Sequence, residues 1–273
     1  MPAQSPVKLR QEAEERSAPP ASVVYEAIYL EGKDELERET SALFFSALAA
    51  GLSMGFSLIT EALICNALPD APWRTLICKF GYSVGFLIVV LARQQLFTEN
   101  TLTVMLPLLH WKNRFVLAKV GRLWAIVLTG NLIGALAIGW VLGHTPVFDA
   151  ATKSMMMEIS RHGVGDPFFT VLLRGVFAGW LIALMVWLMP AAQSARVAVI
   201  VIITYLVALA GLAHVIAGSV DKLLLVTTGQ LTWGAFLGGF LAPALLGNII
   251  GGVSLVAALN HGAAGREQKP AQS

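Results

Sequence analysis

One histidine, His214, stands in the middle of an apolar run from Tyr205 to Asp221 that is long enough to cross a lipid bilayer. An ionisable side chain at that depth is costly. It either faces a bundle interior or water-filled path, or it is a neutral imidazole bonded to a neighbouring helix. Both readings are open from the residue alone. On a path, its chemistry would be delivery of a proton or orientation of a small anion, because imidazole titrates near neutrality. Gly211, Gly218 and Ser219 bracket the histidine. Small residues there fit a helix that unwinds at mid-membrane, and they equally fit a close helix-packing face.

The elements that must position this residue are membrane helices. Of 273 residues, 56% are hydrophobic and only 13% charged, with a mean hydropathy of +0.69. A soluble domain carries about 25% charged residues. The net charge of +2 gives no basis for nucleic-acid binding. Lipid and other copies of the chain are the expected partners. The two cysteines, Cys65 and Cys78, read as two buried thiols, with a disulfide as the alternative if both face an oxidising compartment. His110, His144, His162 and His261 fall in loops or at ends without metal-ligand spacing, so neither metal nor cofactor is expected. No nucleophile has a base at usable spacing and no phosphate loop occurs, so the chain does not read as an enzyme.

Along the chain, residues 1–18 are polar, lack the h-region of a signal peptide and read as a disordered cytoplasmic N-terminus. Residues 19–40 place Val24, Ile28 and Leu36 among acidic and basic neighbours, which predicts an amphipathic helix at the membrane surface. Residues 41–262 are expected to form a six-span pore domain, with a cytoplasmic tail over 263–273. The spans begin near Leu43, Ile77, Val120, Phe168, Tyr205 and Trp233, and Pro190 is expected to end the fourth. A polar connection from Gly143 to Asp166 separates the third from the fourth. Basic residues concentrate on the side of the termini, which places both ends in the cytoplasm.

The pentapeptide GNLIG around Asn131 recurs as GNIIG around Asn248. Two copies of three spans must be inverted relative to one another. Aligning the two asparagines sets Thr98 opposite His214 to within one residue. The second span stalls at Arg93, Gln94 and Gln95 and resumes at Asn100, and its apolar remainder is too short to cross alone. Both the second and fifth spans are therefore expected to break at mid-membrane. Two half-helix amino ends meeting there suit a small anion.

These residues resemble the formate/nitrite transporter family, in particular its YfdC-like branch. The motifs that carry the resemblance are LFTEN at Leu96–Asn100, GLAHVIAG at Gly211–Gly218, and GN at Gly130-Asn131 and Gly247-Asn248. The resemblance implies an all-α, aquaporin-like fold, a homopentamer with one pore per protomer, and a bacterial inner membrane location. It implies passage of small monovalent weak-acid anions such as formate or nitrite. Thr98 would be the loop threonine that bonds the central histidine His214, in a loop also holding Glu99 and Asn100. Tyr82, Phe86 and Leu96 would line one constriction and Val207 the other.

An anion nearing an apolar constriction loses water, which favours its protonation. His214 would deliver the proton or orient the anion while Thr98 holds its tautomer. A neutral-solute channel like an aquaporin is the second reading. The chain departs from the family where Gly179 and Gly218 replace asparagines near the histidine, which suggests a wider, less polar lumen. Near Gly163 only Arg161 and His162 stand where a vestibule lysine is usual. Arg174, early in the fourth span, is expected to attract anions or pair with Glu99, or to snorkel to the interface.

Overall fold

The computed structural model describes residues 18–267. Nearly all of the N-terminus expected over 1–18, and positions 268–273 of the tail, lie outside the described residues. Among the described residues every regular element is helical.

Helix α1, Ala21–Glu37, buries Val24, Ile28, Gly32 and Leu36, one stripe at helical spacing. That stripe packs on protein. A Cβ at Gly32 would overlap the Thr103 carbonyl, Trp111 donates its indole N–H to Tyr29 at 2.9 Å, and Glu31 pairs with Arg93 at 2.8 Å. The helix predicted for the surface therefore caps one mouth of the bundle.

Helix α2 is Thr40–Ala67 and α3 is Arg74–Leu91, the latter tightened to a 3₁₀ turn at Lys79–Tyr82. After an irregular stretch come the short α4, Asn100–Thr103, and α5, Met105–Trp111. Helix α6, Arg114–His144, is capped by the Asn113 side chain, which accepts from the Phe115 N–H. Helix α7, Ala150–Arg161, lies inside the expected polar connection. Asp149 caps it by accepting the Thr152 N–H at 2.7 Å, a bond that holds its carboxyl below the ordinary aspartate value. Its buried Thr152, Met156 and Ser160 recur every fourth residue, a helical signal present in the sequence.

Helix α8, Phe168–Ala192, runs through Pro190 instead of ending there. A proline so near the carboxyl end removes one hydrogen bond, and the turn comes at Gln193, where φ is 41°. Helix α9 is Arg196–Leu209 and α10 is Val215–Thr227; a π-helical segment, Ala235–Leu241, leads into α11, Ala242–Glu267. Five helical runs among the described residues are long and apolar enough to cross a membrane. The number falls below six because the run from Phe168 to Leu209 joins α8 to α9, while α10 alone is short.

The principal packing contacts are α2 on α6 and α8 on α11. They are built alike. A Cβ at Gly51 would overlap the Asn131 carbonyl, and one at Gly179 the Asn248 carbonyl. Gly134 approaches the Leu48 carbonyl as Gly251 approaches that of Val176. Glycine at these crossings lets helix backbones touch, which is the main source of attraction between helices in lipid.

Of the two states open to the cysteines, the disulfide forms and not the preferred pair of buried thiols. Cys65 at the end of α2 and Cys78 at the start of α3 form a disulfide, with Cα atoms 5.2 Å apart. The short turn between the helices sets them side by side, and Arg74 fastens that turn by donating twice to the Cys65 carbonyl, at 3.0 and 2.7 Å.

Candidate functional site

Between Leu91 and Asn100, and again between Leu209 and Val215, the backbone leaves the helix. Arg93 and Gly211 turn there with positive φ, 53° and 61°. Backbone groups released at membrane depth need partners. The repeated asparagines supply them. Asn131 accepts the Phe97 N–H at 2.9 Å and donates to the carbonyls of Ala47 and Gln95, both at 2.8 Å. Asn248 accepts the Val215 N–H at 2.9 Å and donates to Gly175 at 2.9 Å and Ala213 at 2.8 Å.

These bonds set the register between the two breaks. Leu96, lying between Gln95 and Phe97, is the counterpart of His214, lying between Ala213 and Val215. The alignment that set Thr98 opposite His214 was two residues off, because counting from the asparagines could not see which backbone groups they hold. Asn100 braces the first break, donating to the side chain of Gln95 at 2.9 Å and to the Leu96 carbonyl at 3.3 Å.

His214 is 1% exposed and caps the amino end of α10. Its Nδ1 accepts the Ala217 N–H at 3.1 Å, and its Nε2 lies 2.8 Å from Thr98 Oγ1. A nitrogen that accepts a backbone N–H carries no proton of its own, so in the neutral ring the hydrogen is on Nε2 and is donated to Thr98. The tautomer is thus assigned by the Ala217 amide, not by Thr98. Thr98 is held in turn by Thr101, whose hydroxyl donates to its carbonyl at 2.7 Å. The Phe86 ring meets the imidazole edge-on, centroids 4.9 Å apart, and Tyr82 lies 5.2 Å from Phe86.

Two cavities approach this centre. One, of about 90 Å³, is lined by His214, Tyr82, Val207, Gly218 and Phe240. The other, of about 890 Å³ on the α1 side, is lined by Gln94, Gln95 and Glu99 of the first break. Phe86 and Leu96 are fully buried and line neither.

The smaller cavity carries charges that went unrecognised in the sequence. Glu61 of α2 and Lys79 of α3 form an ion pair at 2.6 Å, and Asp221 and Lys222 of α10 also line the wall. Glu61 was legible as an acid inside an apolar run, and Asp221 lies two helical turns beyond His214 on the same face. Lys222 donates to the carbonyls of Ser160 and His162, both at 2.7 Å.

Arg174 does not meet Glu99. It pairs with Asp166 at the mouth of this cavity, whereas Glu99 belongs to the opposite one, beyond the reach of any side chain on the mouth. Arg161 does not line the cavity and donates to Gln230 at 2.5 Å. His162 does line it, and burial together with Lys79, Lys222 and Arg174 pushes its pKa below the ordinary histidine value, so its ring is neutral at neutral pH.

Neither replaced asparagine position widens the lumen. Gly179 is filled from outside by the Asn248 backbone, and the Phe240 ring occupies the space beside Gly218.

A helical bundle with two broken helices pinned at one depth, and a histidine between two opposing cavities, defines a multi-pass membrane protein of the channel and transporter class. A family model for formate/nitrite transporters matches residues 22–262, and the chain belongs to that family. It is 39% identical over 248 residues to the inner membrane protein YfdC of Escherichia coli K12, covering 91% of this chain and 80% of that one. It is 23% identical to the formate channel BtFdhC of Bacillus thuringiensis, covering 86% and 90%. Among solved structures, a pentameric formate channel with formate bound superposes with a TM-score of 0.68 at 22% identity, covering 82% of this chain and 97% of that one.

Proposed function

We propose that this protein passes small monovalent weak acids of the formate class through each protomer of a homopentamer. The observation that carries the reading is the His214–Thr98 bond, formed where both broken helices meet between two opposing cavities. Membership of the family and similarity to proteins named as formate channels support the anion class. Six crossings in two inverted halves, with α1 as a separate N-terminal element, account for the matching asparagine clamps. Both termini then lie in the cytoplasm of a bacterial inner membrane, with the α1-side cavity facing inward, in keeping with the distribution of basic residues and the similarity to YfdC.

In this mechanism an anion entering the His214 cavity is stripped of water against Tyr82 and Val207. The Nε2–H of His214, fixed by the Ala217 amide, is the donor at the site of desolvation, and the anion receives it in place of Thr98 Oγ1. The anion takes a proton from water in the cavity, crosses the apolar barrier of Phe86 and Leu96 as the neutral acid, and ionises again beyond it. Nδ1 is occupied as an acceptor, so His214 serves this passage as a donor and orienting group.

Formate uptake into proteoliposomes tests the reading. Uptake is expected to rise as external pH falls and to drop about tenfold or more in both His214→Phe and His214→Asn, the effect of losing one buried hydrogen bond at the barrier. A wild type with pH-independent flux of an uncharged solute and no formate flux overturns the anion class. That second reading has one specific support: the vestibule carboxylates Glu61, Asp166 and Asp221 match the cations Lys79, Arg174 and Lys222. Because Phe240 fills the space beside Gly218, Phe240→Ala is expected to raise lactate uptake relative to formate severalfold, and an unchanged uptake ratio removes Phe240 from the selectivity path.

A further inference from the structure

Passage of the acid past His214, Phe86 and Leu96 makes no use of Glu99. It follows Thr98 directly, so it lies one residue from the bond that joins the two breaks, and it opens on the α1-side cavity. Its Oε1 is fully buried and has no hydrogen-bond partner. Gln94, on the same wall, also carries a buried Oε1 without a donor. Two acceptors lacking donors at one wall call for a ligand that brings a hydrogen. A buried polar atom left unpaired otherwise costs about 1–3 kcal/mol.

None of the surrounding charges bonds either oxygen. From α1 the cavity receives Glu31, Asp34, Glu35 and Arg38, from the break Arg93, and from the start of α9 Arg196. Arg93 is bonded to Glu31 at 2.8 Å and Arg38 to Glu35 at 3.2 Å. Helix α8 contributes Met185, Val186, Met189 and Pro190, which are uncharged.

We propose that Glu99 is the proton-exchange group on the α1 side of the barrier, taking the proton from the neutral weak acid as it emerges and returning it to acids that travel the other way. The inference rests on the weak-acid reading. In the step, the O–H bond of the acid breaks and an O–H bond forms on the Glu99 carboxylate. The conjugate base leaves into the cavity, and Glu99 then gives its proton to water there. No electrons change hands. An ionised carboxylate beside the exit would repel the departing anion, so loading Glu99 with the proton removes that repulsion at the moment the anion forms.

The test compares wild type with Glu99→Gln and Glu99→Asp, each checked for wild-type elution as an assembled protein. Proteoliposomes containing an entrapped pH-sensitive dye receive an inward formate gradient, with protein-free liposomes as the baseline for formic acid crossing lipid. Proton entry and radiolabelled formate entry are read in parallel across a pH series.

Wild type is expected to move both together. Glu99→Gln is expected to lower proton-coupled entry roughly tenfold or more and flatten its pH profile, while formate flow driven by an imposed membrane potential persists. Glu99→Asp, which keeps the acid, is expected to restore coupling and the pH dependence. Coupled entry and a pH profile in Glu99→Gln equal to wild type overturn the role of Glu99 alone, since weak-acid transport then continues. A Glu99→Asp variant as defective as Glu99→Gln also overturns it, because loss of shape then explains both. A wild type that carries no formate overturns this proposal together with the reading on which it rests.

Discussion

Asn248→Ala is expected to lose the assembled fold at temperatures the wild type survives. The side chain, itself fully buried, holds the Val215 N–H and the carbonyls of Gly175 and Ala213. Alanine leaves three backbone groups unpaired, at about 1–3 kcal/mol each, so a destabilisation on the order of 4 kcal/mol is expected. Asn131→Ala removes the matching set at Phe97, Ala47 and Gln95 and should behave alike. Size-exclusion chromatography of detergent-solubilised protein after graded heating gives the measurement. Asn248→Asp sharpens it, because the acid keeps the acceptor for Val215 but points a charge at two carbonyl oxygens. Variants with the wild-type midpoint would mean that the clamps contribute nothing to the breaks.

Gly179→Leu carries the second large effect. A Cβ there would overlap the Asn248 backbone, so α8 and α11 can admit leucine only by moving apart. Overpacking a tight contact costs about 1–3 kcal/mol, and more where the obstacle is backbone that cannot rotate away. Separation also drags Asn248 from its partners, so the loss should approach that of Asn248→Ala and add little to it in the double variant. The same heating series measures it. A fully stable Gly179→Leu protein with altered selectivity would return this position to the lumen.

Much of the machinery was legible in the chain. The places of the long apolar runs followed from composition and both breaks from polar or small residues inside them, whereas five membrane-length runs, not six, are found among the described residues. The pairing of Thr98 with His214 was implied by motif resemblance, and the two side chains lie 2.8 Å apart. Spacing failed where one residue more or less changes the partner. The asparagines recur as a visible motif, yet only their hydrogen bonds identify Leu96 as the counterpart of His214. Glycine misled for a related reason, since it marks open space and tight contact equally. Arg174 offered several partners, and the loop that carries Asp166 back over α8 chose among them.

The sequence by itself determined that this chain lives in lipid, where its helices are interrupted, and which polar residues stand at the interruptions. Those properties depend on composition and on order along one strand of chain. Tertiary structure decided the rest. It set the tautomer of His214 through the Ala217 amide, joined Cys65 to Cys78, filled the space beside Gly218 with Phe240, and left Glu99 facing a cavity without a donor. Each of these depends on which atom of a distant helix arrives within about 3 Å, the reach of a hydrogen bond. Local pattern places a residue on a helix face but cannot rotate or translate that helix against its neighbours.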